Sequence, residues 1–256
     1  MNLLTNKIVL ITGASSGIGQ SCAKEFAKLK CKLILIARRK ENLDRIANQL
    51  KEQFQVEILT FKVDVRDFEQ VKSFYENLPD NWKEIDILIN NAGLAKGLDK
   101  FQDGKIEDWN QMIDTNIKGL IYVSKIVVPQ MVRRETGHII NIGSTAGHDT
   151  YPMGNVYAAT KFAVKAISQS LRIDLLDKGI RVSSVDPGMV ETEFSLVRFY
   201  GDKERAKKVY QGLTPLTPND VADAVIYCAT RPPNVNINQI ILTPLAQASS
   251  NFIVRK

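Results

Sequence analysis

KIVLITGASSGIG, running from Lys7 to Gly19, joins an apolar, β-branched run to a glycine-rich turn that opens straight into an apolar-periodic segment. A strand that is apolar at nearly every position is one covered on both faces, as in a parallel sheet packed between helices. The glycines permit a tight turn and let backbone N–H groups approach a ligand closely. The helix starting there adds the positive end of its dipole, so the turn suits a pyrophosphate. Its spacing, GxxxGxG, departs from the GxGxxG turn of the longer dinucleotide-binding folds.

The same rhythm repeats along the chain. Apolar runs at 7–12, 32–37, 58–63, 85–89, 138–142 and 180–185 end, in that order, at Gly13, Arg38, Asp64, Asn91, Ser144 and Pro187. Helical periodicity is predicted over 18–29, 41–54, 68–78, 106–134, 155–177 and 218–230, with a last strand at 239–243. Strands alternating with helices predict βαβ units, hence an α/β fold with a Rossmann-type doubly wound parallel sheet and helices on both faces. Ligands of such sheets bind outside the carboxyl ends of the strands. Six unusual strand ends therefore describe one continuous site.

No glycine- or serine-rich linker divides the 256 residues, which read as one dinucleotide-binding catalytic domain over 1–256. The rhythm breaks at about 189–216, a polar segment placed where a substrate lid belongs. Residues 244–256 read as a C-terminal arm, with Phe252, Ile253 and Val254 docked or touching a neighbouring subunit. The net charge of +6 comes from Lys and Arg spread along the chain, without a basic block, so no nucleic-acid partner is expected. Three cysteines, Cys22, Cys31 and Cys228, show neither CxxC spacing nor an even count, so no metal site or disulfide framework is expected. No run approaches the ~20 apolar residues of a membrane span. Met1 to Lys7 contains no apolar segment ahead of a cleavage site, so no membrane association and a cytoplasmic location are expected.

The end of the second strand reads Ala37-Arg38-Arg39-Lys40, with no acid before Glu41. An Asp or Glu here would hold a ribose 2′-hydroxyl, whereas Arg accommodates a 2′-phosphate, so NADP is the expected cofactor. Tyr157 and Lys161 stand at i and i+4 on one predicted helix face. Tyrosine, with a pKa of about 10, needs a nearby cation to exchange protons near neutrality. Lys161 is expected to be that cation. Ser144, from a neighbouring strand end, can donate a hydrogen bond to a developing alkoxide.

From Lys7 to Thr243 the chain resembles the short-chain dehydrogenases/reductases. The matching residues are TGASSGIG at 12–19, Asp64-Val65, Asn90-Asn91-Ala92-Gly93, Asn116, Gly143-Ser144, Tyr157 with Lys161, and Pro187-Gly188. The resemblance implies that Tyr157 is the general acid/base and that Ser144 polarises the carbonyl. It implies that Lys161 holds the nicotinamide ribose and lowers the Tyr157 pKa, while Asn116 holds a relay water. Gly13, Ser15, Ser16, Gly17, Ile18 and Gly19 would cradle the cofactor phosphates, and Asp64 and Val65 the adenine. Asn91, Ala92 and Gly93 would line the ribose, and Pro187, Gly188, Val190 and Thr192 the carboxamide end.

Further stretches, including 109–116, 138–147 and 193–202, are similar to the NADP-dependent 3-hydroxy acid dehydrogenases. That resemblance implies a small-molecule substrate such as L-serine, L-allo-threonine or 3-hydroxypropionate, or malonic semialdehyde in the reverse direction. Arg198, in the inserted segment, would read the substrate carboxylate; a lid salt bridge or a phosphate contact is its rival role. The family implies a homo-oligomer, a tetramer or otherwise a dimer. The alternatives are a broad-specificity NADPH-dependent carbonyl reductase, or a cofactor-sensing protein without turnover.

Overall fold

In the computed structural model, which describes residues 4–256, the opening stretch forms strand β1 (Ile8–Thr12), every residue of it buried. Strands β2 (Lys32–Ala37), β3 (Ile58–Lys62), β4 (Ile87–Asn90), β5 (His138–Ile142), β6 (Arg181–Pro187) and β7 (Gln239–Leu242) follow. Between and after them come helices α1 (Gly17–Lys28), α2 (Lys40–Phe54), α3 (Phe68–Glu76), α4 (Ile106–Ile113), α5 (Gly119–Arg134) and α6 (Asn155–Asp174). Helices α7 (Phe194–Arg198), α8 (Lys203–Lys208) and α9 (Pro218–Ala229) complete the set. All strand pairings are parallel, in the order β3-β2-β1-β4-β5-β6-β7. The order reverses between β1 and β4, and that switch point opens the crevice in which such sheets hold ligands.

Alternate side chains of the strands feed two apolar layers. Val9, Ile11, Leu33 and Leu35 pack with Phe26 of α1, Leu43 and Ile46 of α2, and Val225 of α9. Leu10, Ile34, Ile36 and Leu88 face the other way, onto Phe74 of α3 and Val123, Val127 and Met131 of α5. This is why the strands read as continuous apolar runs rather than alternating ones. A capping box at the start of α9 (Thr217 with Asp220, Pro218 between) marks where the inserted segment ends and the regular alternation resumes.

Two predicted helices differ in form. The helix expected over 106–134 is interrupted by a π-helical turn, Asp114–Lys118. Such turns insert one residue into the hydrogen-bond ladder and are frequent at functional sites; this one carries Asn116. The helix expected to reach residue 177 ends at Asp174 and continues as a short 3-10 turn, Leu176–Lys178, before Gly179 at φ +64°. The short helix α7 was not signalled by periodicity, because five residues are too few to show one.

His138 opens β5 with 2% exposure, its Nε2 2.8 Å from Ser183 Oγ. Burial, helped by Arg181, lowers its pKa from 6.5 to about 3. In the unfolded chain this imidazole takes a proton near 6.5, whereas in the fold it resists until about 3. Stability is therefore expected to fall as pH drops through that window. Denaturant midpoints measured from pH 7 to pH 4 should show a smaller decline for His138→Gln than for the parent.

Candidate active site

The glycine-rich turn is built against β4. Thr12 Oγ1 accepts from the Asn91 and Ala92 amides (3.0 and 2.9 Å), and Asn91 Nδ2 donates to the Thr12 carbonyl (2.9 Å). Gly13 has φ +65°, and a Cβ there would stand 2.9 Å from Asn91 Nδ2. A Cβ on Gly19 would stand 2.6 Å from both Asn91 Nδ2 and the Gly13 carbonyl. The Asn91 amide thus braces the turn from the strand next door. Ser16 is the N-cap of α1, yet its hydroxyl makes no capping bond. The first N–H groups of this helix therefore have no side-chain acceptor.

At the same end of the cleft, Arg38 and Arg39 are exposed where β2 stops. Arg39 donates to Ser15 Oγ (3.3 Å), Ser16 Oγ (2.6 Å) and Glu193 Oε2 (2.9 Å), whereas Arg38 makes no hydrogen bond or ion pair within the described residues. Burial works against the charge of Asp64, but the Arg66 guanidinium, with Nε 2.9 and 3.0 Å from its two oxygens, holds its pKa below the usual carboxylate value. The donor set of guanidiniums, serine hydroxyls and uncapped amides fits a phosphorylated dinucleotide. A cleft of about 400 Å³ runs from these residues past Asn91 and Gly93 to Ser144, Tyr157 and Lys161.

The far end of the cleft gathers residues from four elements. Ser144 follows β5 and accepts from the Ala146 amide (3.1 Å) as cap of a 3-10 turn. Tyr157 and Lys161 sit on α6, 9% and 8% exposed. The Lys161 ammonium donates to the Ile142 carbonyl (3.0 Å); burial lowers its pKa from 10.5 to about 8, opposed by the charge of Asp186. Gly147 lets α6 approach, since a Cβ there would lie 2.6 Å from the Lys161 carbonyl. Asn116 Oδ1 accepts from the Leu94 amide (2.9 Å), and its Nδ2 donates to the Leu94 carbonyl (2.8 Å) and Thr160 Oγ1 (3.0 Å).

Several groups act on the Tyr157 phenol. Burial pushes its pKa up, Tyr151 adds to that, and Arg198 with the Ser144 hydrogen bond opposes it. The cation acting on the phenol in the chain alone is thus Arg198, whose Cζ lies 5.4 Å from the ring centroid; Lys161 Nζ is 6.0 Å from it and is turned to a carbonyl. Arg198 also donates to the Tyr151 hydroxyl and to the Gly97 carbonyl (3.2 Å).

The segment at 189–216 leaves and rejoins the body at one point: Leu216 N–H donates to the Met189 carbonyl and Glu191 N–H to the Leu216 carbonyl, both at 2.9 Å. Between these ends, Phe194 and Val197 of α7 line the cleft, and α8 packs against α7. After β7 the chain turns back, and Gln247 Oε1 accepts from the Met189 amide (2.8 Å) while Lys256 N–H donates to the Gly212 carbonyl (2.9 Å).

Sequence reading missed the carboxylate behind this site. Asp186, 2% exposed, accepts from His148 Nε2 (2.6 Å), Gln239 Nε2 (2.6 Å) and the Ser184 hydroxyl. Lys165 Nζ lies 3.3 Å from His148 Nδ1, on the other side of the ring. His148 is therefore turned to Asp186. An acid closing an otherwise apolar run was the available signal. Among the described residues no His/Cys/Asp/Glu cluster is arranged to hold a metal, and no helix is long and apolar enough to cross a membrane.

The short chain dehydrogenase family profile matches residues 7–199. The chain is 45% identical to an NADP-dependent 3-hydroxy acid dehydrogenase of Schizosaccharomyces pombe, with 100% of this chain and 99% of that one aligned. It is 44% identical to sulfoacetaldehyde reductase 2 of Chromohalobacter salexigens, over 96% of this chain and 98% of that one. A closed form of serine dehydrogenase complexed with NADP+ superposes with a TM-score of 0.91 at 44% identity, covering 97% of this chain and 99% of that chain. With its sheet order, its glycine turn and its Ser144, Tyr157 and Lys161 at the crevice, the chain belongs to the short-chain dehydrogenase family.

Proposed function

We propose that the chain is an NADP-dependent oxidoreductase that interconverts a short 3-hydroxy acid, of the L-serine, L-allo-threonine or 3-hydroxypropionate kind, with its oxo form. The observation that carries the substrate reading is Arg198, a cation held 5.4 Å from the Tyr157 ring centroid, in a small pocket that adjoins the cleft at Tyr157. A hydroxy acid seated there meets a guanidinium suited to its carboxylate and a phenol suited to its hydroxyl.

Gly13, Ser15, Ser16, Gly17, Ile18 and Gly19 would hold the cofactor's pyrophosphate, Arg38 and Arg39 its 2′-phosphate, and Asp64 and Val65 its adenine. Asn91, Ala92, Gly93 and Lys161 would line the ribose, and Pro187, Gly188, Val190 and Thr192 the carboxamide. When bound, NADP+ supplies the acceptor for the hydride that leaves the substrate carbon. The Tyr157 oxygen takes the substrate's hydroxyl proton in oxidation and returns it in reduction. Ser144 donates a hydrogen bond to the substrate oxygen as charge develops there. Lys161 would bring its positive charge to the ribose, and Asn116 would hold a water in the proton relay. The segment at 189–216 acts as the lid, and its Arg198 orients the acid.

The test is initial rates with NADP+ and NAD+ on L-serine, L-allo-threonine, 3-hydroxypropionate and a plain secondary alcohol. The expected result is turnover of the acids with NADP+. In Arg198→Met, KM for the acids rises at least about tenfold, the loss of one charge-assisted contact. Turnover of the plain alcohol alone, indifferent to Arg198, would replace this reading with a broad carbonyl reductase. No turnover with NADP+ still bound would leave a cofactor-sensing protein. A cytoplasmic homo-oligomer, a tetramer or otherwise a dimer, is part of the same proposal, and light scattering on the purified protein checks the assembly.

A further inference from the structure

Glu193 stands at the N-terminus of α7, 154 positions from Arg39, yet its carboxylate lies 2.9 Å from the Arg39 guanidinium across the cleft. Burial works against its charge, while Arg39 and a hydrogen bond from Ser16 hold its pKa below the usual value. The neighbouring Thr192 leans on the glycine turn, its Cγ2 3.3 Å from where a Cβ on Gly17 would stand. A lid carboxylate thus occupies a guanidinium and a serine hydroxyl, the donors a phosphate monoester would use.

We propose that Glu193 is a specificity-determining residue: an internal anion that occupies the Arg39 guanidinium and must be exchanged for the cofactor's 2′-phosphate. This rests on the reading of Arg38 and Arg39 as the phosphate-holding pair. The geometry suits exchange. Both partners are about half exposed (48% and 52%), so the ion pair is worth only a few-fold in an equilibrium constant. A dianion offers more charge and more acceptor oxygens than a single carboxylate. Arg38, without an ion pair among the described residues and with its charge near Asp64, stands ready as the first contact, and Arg39 follows as Glu193 leaves.

Two consequences follow by linkage. An anion that displaces Glu193 frees α7 from α2, so phosphate binding and lid position are coupled. A cofactor bearing a hydroxyl in place of the phosphate leaves the Arg39–Glu193 contact in place. Glu193 therefore lowers affinity for NADP+ selectively and narrows its advantage over NAD+.

The experiment measures Kd by calorimetry for NADP+, NAD+ and 2′-AMP, with the parent protein and with Glu193→Gln, which keeps the side chain's shape. Glu193→Gln is expected to tighten NADP+ and 2′-AMP by about two- to five-fold, with NAD+ unchanged. Equal Kd values for NADP+ in parent and variant, or equal tightening of NADP+ and NAD+, would overturn the proposal while leaving the cofactor reading intact. A parent protein binding NAD+ as tightly as NADP+ would overturn the cofactor reading, and this proposal with it. Glu193→Asp, one methylene shorter, should fall between parent and Gln; values matching the parent would argue against a distance-dependent contact.

Discussion

Tyr157→Phe is expected to lower kcat by about 10²–10⁴-fold, the range contributed by a positioned acid/base group, with NADP+ binding little changed. The substitution removes one oxygen from a side chain already 9% exposed and packed against Phe194 at 5.6 Å between centroids, so the fold keeps its shape. The pH dependence gives the sign. Burial holds the phenol protonated, which favours carbonyl reduction; alcohol oxidation needs the phenolate. Oxidation should therefore climb as pH rises toward 10, while reduction stays level, because a phenol raised above its ordinary value of 10 remains protonated. Because Arg198 opposes the effect of burial, Arg198→Met should move the rising limb of oxidation to higher pH. Stopped-flow rates in both directions from pH 6 to pH 10 check both statements. A Phe variant with parent activity would remove Tyr157 from the mechanism.

Gly143→Ala has the largest expected effect on stability. A Cβ at this position would lie 2.0 Å from Asp186 Oδ1 and 3.2 Å from Ser184 Oγ. Asp186 cannot swing aside, because it is buried and held by His148, Gln239 and Ser184. The alternatives are a shift of β5 against β6 or a broken ring of donors around a buried carboxylate. Overpacking of this kind costs about 1–3 kcal/mol, and losing partners of a buried charge adds to it. Thermal unfolding should show Tm lowered by about 2–12 °C, at roughly 2–4 °C per kcal/mol for a chain of this size. Activity should fall further than stability, since residue 144 follows directly. An unchanged Tm would mean that the Asp186 ring is looser than its hydrogen bonds indicate.

The parts legible in the sequence were those written in local chemistry. Runs such as IVLI at 8–11 and LILIA at 33–37 announce buried parallel strands because both faces exclude polar residues. The glycine turn and the i, i+4 spacing of Tyr157 and Lys161 are equally local. What sequence reading could not supply depends on pairs far apart. Asp186 meets His148 across 38 positions and Arg39 meets Glu193 across 154, so neither contact leaves a short-range pattern. The π turn at Asn116 was hidden because a helix with one inserted residue keeps nearly the same apolar rhythm. Spacing likewise put Lys161 near Tyr157 but could not say that its ammonium bonds the Ile142 carbonyl.

The strand order carries a consequence for the birth of the chain. β1 is the earliest of the seven described strands and lies inside the finished sheet, third in its order, but its second neighbour arrives late: Ile8 N–H donates to Asp86 across 78 positions, and Val9 aligns with Ile87. At about 5–20 residues per second, a ribosome leaves that side of β1 open for roughly 4–16 s. For that interval an apolar strand, Ile-Val-Leu-Ile, presents unpaired amides and carbonyls, the condition under which strands join foreign edges. Non-local parallel pairing is also slow to form once the partner exists. The nascent β1-β2-β3 half is thus the stage at which this protein is most exposed to aggregation, and chaperone demand should peak before residue 87 has cleared the exit tunnel.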